Sequence, residues 1–144
     1  MQEPPIQILL VEDNAADVRL VRDALVQQQL ANEVHECSDA EQAFAYLERM
    51  RRGADDAPCP QVVLLDLNIP KGEGFEILNA LRASEQTART PAIVMSSSDS
   101  PVDRARVADA GGAVYFRKPL DLDDFMKLGG LVRTVLDTNG MGDR

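Results

Sequence analysis

The chain's 144 residues fit a single domain, and 44% hydrophobic with 27% charged residues excludes the low-hydrophobicity composition of a disordered chain. A formal net charge of −9 and a sequence pI near 4.5 set up a field that repels phosphate backbones and anionic lipid surfaces, so neither nucleic acid nor membrane is an expected partner. The opening "MQEPPIQILLVEDN" has an apolar run too short to span a bilayer and no basic leader, which points to a cytoplasmic protein. Cys37 and Cys59 lack metal-ligand spacing and read as reduced packing or loop residues.

Taken in order, short apolar runs alternate with helical patterns. "IQILLV" at 6 to 11 is a strand; Asn14 then caps a helix with Asp17 at its third position, and Val18, Val21 and Leu25 share its inner face. "EVHEC" at 33 to 37 is a polar, edge-like strand in which His35 reads as a surface residue. Ser38 with Glu41 forms a capping box ahead of Phe44 and Leu47. The loop "RRGADDAPCPQ" leads to "VVLLD" at 62 to 66, after which Phe75, Leu78 and Leu81 mark a third helix. "AIVMS" at 92 to 96 precedes a helix opened by Ser100, Pro101 and Asp103 and closed by Gly111 and Gly112. "AVYFR" at 113 to 117 precedes a fifth helix, capped by Asp121, with Leu122, Phe125, Leu128, Val132 and Val135 facing inward. The tail "DTNGMGDR" is expected to fray.

This alternation predicts an α/β fold, a doubly wound sheet of five parallel strands with five surrounding helices. In such a sheet the carboxyl ends of the strands form the binding face. Asp66 closes the third strand there, and Glu12 and Asp13 leave the first strand beside it if those two strands are neighbours. Crowded carboxylates repel one another unless a cation or hydrogen bonds compensate. Magnesium suits this set, because it takes oxygen ligands and is held by one or two carboxylates plus a phosphate oxygen. Lys118 after the fifth strand and a serine at the fourth strand's end supply donors for a phosphoryl group. Ser96, Ser97 and Ser98 compete for the inward position, which strand alternation does not decide and motif register gives to Ser96. Every charge developing in an in-line transfer to Asp66 would then have a partner.

The segments "LLVEDN", "LLDLNIP" followed by Gly74, "IVMSSS" and "YFRKP", in this order and spacing, resemble the receiver domain of two-component response regulators over residues 6 to 137, so the chain reads as one receiver domain, 1–144, with no output domain. The resemblance implies the strand order 2-1-3-4-5 and phosphorylation of Asp66 from the phosphohistidine of a sensor histidine kinase. It implies magnesium held by Glu12, Asp13, Asp66 and the Asn68 main-chain carbonyl. Ser96 would bond the phosphoryl group and move with its loop, Lys118 would pair with it, Tyr115 would act as the switch aromatic, and the Lys118–Pro119 peptide would be cis. Such a protein catalyses only its own phosphoryl transfer and dephosphorylation, and acts through contacts with the kinase, a phosphotransfer protein or another target. A homodimer through the fourth and fifth helices is expected by the same likeness.

"VEDNAADVRLVRDAL" and the long loop before the third strand are similar to the stand-alone regulators that partner bacterial phytochrome-type kinases. Those relatives often pair through a C-terminal aromatic arm, whereas no aromatic follows Phe125 here. Gly129 and Gly130 each cost a helix roughly 1 kcal/mol relative to alanine, so either the last turns are loose or a neighbour packs closely. Three competing readings stand beside the receiver. A phosphatase of the haloacid dehalogenase type wants a second acid where Asn68 stands, a flavodoxin-like cofactor binder wants a phosphate-cradling loop where "EDNAAD" stands, and an adaptor would not need the acidic site.

Overall fold

The computed structural model describes residues 4–111 and 113–142. Five strands, β1 (Ile6–Val11), β2 (Asn32–Cys37), β3 (Val62–Asp66), β4 (Ala92–Ser96) and β5 (Ala113–Arg117), form one sheet in the order β2-β1-β3-β4-β5, with every pairing parallel. Helices α1 (Ala15–Gln27), α2 (Ala40–Arg51), α3 (Gly74–Ala83) and α4 (Pro101–Asp109) occupy the crossovers. The chain ends in a one-turn α5 (Leu122–Phe125) and a longer α6 (Lys127–Gly142).

All residues of β3 and β4 are buried, as strands covered on both faces must be. Their alternation divides the core. Leu9, Val11, Val63, Leu65 and Val94 face α2 and α3, while Ile8, Leu10, Val62, Leu64, Ile93 and Met95 face α1 and α6. Sequential strands run outward in opposite directions from the β1/β3 boundary, so the switch point of the sheet lies there.

Capping follows the expected chemistry with one shift. Asn14 Oδ1 accepts the Asp17 amide at 3.0 Å and Ser100 Oγ accepts the Asp103 amide at 3.3 Å. At α2 the cap is Asp39, whose carboxylate accepts the Gln42 amide at 2.8 Å; Ser38 stands one residue outside, its own amide donating to Gln42 Oε1. The extended backbone at Asp39 starts the helix one residue later than the Ser38–Glu41 pairing requires, and the face that results buries Tyr46, Leu47 and Met50 while leaving Phe44 38% exposed.

The last helical segment also differs. It breaks at Met126, so Phe125, Leu128 and Val132 are buried and Val135 half-buried, but Leu122 is 63% exposed. The backbone is helical through Gly142, beyond the point where fraying was expected; residues 143 and 144 lie outside the described residues. Helix α4 ends at Asp109, followed by Gly111 in the left-handed region at φ 51°, while Gly112 lies outside the described residues. Arg82 on α3 fixes this turn, its Nε donating to the carbonyls of Ala110 and Gly111 at 2.9 and 2.7 Å and its Nη1 to Thr90 at 2.8 Å.

The close neighbour at the Gly129–Gly130 pair is α1. A Cβ on Gly129 would stand 2.3 Å from the Ala24 carbonyl oxygen, whereas one on Gly130 would meet nothing nearer than Gln28 Nε2 at 3.8 Å. Cys37 is buried and Cys59 exposed, both as free thiols. Among the described residues no helix is long and apolar enough to cross a membrane.

Candidate functional site

Four strand exits converge at the carboxyl edge of the sheet, and backbone bonds carry the ladders a residue or two further. The Glu12 amide donates to Cys37 O at 3.0 Å, the Leu67 amide to Met95 O at 3.2 Å and the Lys118 amide to Ser96 O at 2.8 Å. Glu12, Asp66 and Lys118 are thereby held on a rigid frame. Gly74 lets α3 start against this frame, since a Cβ there would fall 2.6 Å from the Asp66 carbonyl oxygen.

Lys118 Nζ is the hub. It donates to Glu12 Oε1, Asp17 Oδ2 and Asp66 Oδ2, each at 2.7 Å, which uses all three protons of the ammonium. Glu12 and Asp66 are buried, at 3% and 6% exposure, while Asp13 is exposed. Each carboxylate has a second support: Glu12 Oε2 accepts the Asn14 amide at 3.2 Å and Asp66 Oδ1 the Asn68 amide at 2.8 Å. One oxygen from each of Glu12, Asp13 and Asp66 lies within 4.8 Å of the others. A donor set of three carboxylates, two of them oriented by backbone amides, fits a hard divalent cation. These groups, with Ser97, Pro119 and Leu120, line a cleft of about 350 Å³.

Burial is the chief reason the Glu12 carboxyl is pushed up to about 7, with the Lys118 hydrogen bond opposing and the negative charge of Asp66 adding to it. Burial also works against the Lys118 charge, but its hydrogen bonds to Asp17, Asp66 and Glu12 outweigh it and hold the ammonium above the ordinary lysine range. The Glu12 shift fixes the sign of a pH dependence. Because its carboxyl binds a proton more readily folded than unfolded, its contribution to stability is complete below the ordinary value of 4.5 and is lost as pH rises through about 7. In a chelator, thermal stability should fall between about pH 5 and about pH 8, and Glu12→Gln should flatten the decline. A slope indifferent to the substitution would remove Glu12 as its source.

Ser96 is buried at the end of β4, and its Oγ accepts the Ser98 amide at 3.1 Å; it is Ser97, one residue on, that lines the cleft. Asn68 is exposed two residues past Asp66. Tyr115 is half-buried on β5, with its hydroxyl donating to the Ser98 carbonyl at 2.5 Å and the Arg104 guanidinium 4.5 Å above its ring. The Lys118–Pro119 peptide is trans, a correction to the cis expectation. Trans is the intrinsically preferred form before proline, by about 0.5–1 kcal/mol, and with it Lys118 already reaches three carboxylates. The residue that sequence reasoning passed over is Asp17, taken there only as part of a helix start.

The comparisons with known proteins agree with this geometry. Response regulator Rcp1 of Synechocystis sp. is 33% identical over 125 residues, 87% of this chain and 84% of that protein. The solved structure of the phosphorylated cyanobacterial phytochrome response regulator RcpA superposes with a TM-score of 0.82 at 33% identity, over 94% of this chain and 96% of its own. The Mn(2+)-bound form of Rcp1 gives a TM-score of 0.81 at 32% identity, over 93% and 96%. The model of the response regulator receiver domain family matches residues 8–128, and with the five-stranded 2-1-3-4-5 sheet and the acidic cleft at its switch point, this chain belongs to that family.

Proposed function

We propose that this chain is a stand-alone response regulator, one receiver domain over residues 1–144 with its core at about 6–137, that accepts a phosphoryl group on Asp66 from a histidine kinase of the phytochrome type in a magnesium-dependent reaction. The observation that carries this reading is the placement of the Asp66 carboxylate against the Lys118 ammonium at 2.7 Å, beside two further acids. An Asp66 carboxylate oxygen forms a bond to phosphorus while the phosphorus–nitrogen bond to the kinase imidazole breaks, and the electron pair leaves with the imidazole nitrogen. Lys118 meets the charge that grows on the phosphoryl oxygens, and Glu12 and Asp13, with the Asn68 carbonyl, provide the oxygen donors for the cation. When bound, magnesium supplies charge neutralisation of the transferring group.

Ser96 and Tyr115 are proposed as the switch pair, because both are tied to Ser98 in the loop between β4 and α4. Moving that loop would carry the signal to a protein partner, in keeping with a net charge of −9 that disfavours nucleic acid. The likeness to Rcp1 and RcpA supports the phytochrome-type kinase as donor. The chain would turn over no separate substrate, performing only its own phosphorylation and dephosphorylation.

Incubation with magnesium and acetyl phosphate should add one base-labile phosphoryl group, and Asp66→Asn should abolish it. Labelling that survives the substitution would place the acceptor elsewhere. Rapid turnover of sugar or nucleotide monophosphates would favour a phosphatase instead.

A further inference from the structure

We propose that Asp17 is a positioning residue: it is the counter-ion to which the Lys118 ammonium withdraws when a divalent cation takes the carboxylate oxygens of Glu12 and Asp66. The inference rests on the metal-assisted reading above and extends it to a residue outside the acceptor and metal set.

Lys118 divides its three protons equally, at 2.7 Å, among Glu12, Asp17 and Asp66. Two of those partners belong to the trio whose oxygens come within 4.8 Å of one another, and Asp17 does not. A cation seated in that trio and an ammonium on two of the same carboxylates are like charges competing for the negative charge of Glu12 and Asp66. Lysine, a point charge on a flexible four-carbon stem, can yield. It needs an anion to yield to, and Asp17 is that anion. Its position is fixed by the first turn of α1, where its own amide is anchored on Asn14 Oδ1 at 3.0 Å, while its side chain, 22% exposed, turns to the β5 exit 101 residues away. Asp17 therefore keeps Lys118 beside Asp66, available to an incoming phosphoryl group, without leaving it on the metal's ligands.

The test is titration calorimetry of the full chain with Mn²⁺ alone. Asp17→Asn should weaken binding about tenfold with Lys118 present and only about twofold in a Lys118→Met background, the difference being the coupling that passes through the ammonium. Equal losses in both backgrounds would reduce Asp17 to a bare surface charge and overturn the proposal, as would no loss at all. A second measurement avoids the Lys118 variant. The Lys118 ammonium signal in nitrogen-detected magnetic resonance should persist on adding Mg²⁺ to the wild type and be lost to solvent exchange in Asp17→Asn; equal persistence in both overturns the withdrawal. A wild type that binds no Mn²⁺ would overturn the functional reading, and this inference with it, whereas binding unaffected by Asp17→Asn overturns this inference alone.

Discussion

Replacing Lys118 with methionine is expected to destabilise the metal-free protein by about 3 kcal/mol at a pH of about 8, and to slow phosphorylation by acetyl phosphate about a hundredfold. The stability loss comes from what stays behind. Glu12 and Asp66, with side chains 0% and 8% exposed, would face Asp13 and Asp17 with no compensating cation. Breaking a buried ion pair from one side costs about 3–5 kcal/mol because the partner charge remains desolvated. Glu12 limits the damage, since a carboxyl already pushed up to about 7 takes a proton instead of holding an uncompensated charge. The loss should therefore shrink at a pH of about 6, and Mg²⁺ should restore most of it. Denaturant unfolding with and without Mg²⁺ at both pH values measures this. A variant as stable as the wild type in chelator at the higher pH would mean that the three 2.7 Å contacts do not set the charge balance of the cleft.

Adjacent glycines at the start of α6 should respond with opposite signs. Gly129→Ala places a methyl group 2.3 Å from the Ala24 carbonyl oxygen and 2.7 Å from Gln28 Cγ. The Gln28 side chain can move aside, but the Ala24 oxygen belongs to the α1 backbone, so the two helices must part. Overpacking of this kind costs about 1–3 kcal/mol, more than the roughly 1 kcal/mol that alanine returns in helix propensity. At Gly130 the nearest atom is Gln28 Nε2 at 3.8 Å, ordinary contact, so Gly130→Ala should stabilise by about 0.5–1 kcal/mol. Urea midpoints of the two variants decide the matter. If both rose, the backbones of α1 and α6 would not approach as described.

Much of this molecule could be read from local pattern. Four of the five strands are short apolar runs and β2 is marked as an edge by its polar residues, while Asn14, Ser100 and Asp121 cap helices through side-chain chemistry confined to a few residues. Glu12, Asp66 and Lys118 were legible because each stands within a residue of a strand end, where sheet topology does the converging. What escaped depends on distance. Asp17 looks like any first-turn acid, and its contact with Lys118 spans 101 residues; the available signal was its place in the first turn of the helix that directly follows Glu12 and Asp13. The α5/α6 break at Met126 and the exposure of Leu122 belong to the docking of the chain's last segment on α1, where Gly129 lies against Ala24, a contact between residues far apart in sequence. Ser38 and Asp39 are both good caps, and one residue of backbone extension chose between them.

The tether on Tyr115 has a thermodynamic consequence. To turn inward, the ring would have to give up its hydroxyl bond to Ser98 and the overlying Arg104 guanidinium, together worth roughly 2 kcal/mol. On the proposed reading that sets the latency of the signal: without phosphate, only on the order of a few per cent of molecules would sample the inward rotamer. Background output would thus be low but never zero, and loosening this one latch would raise it without touching the chemistry at Asp66.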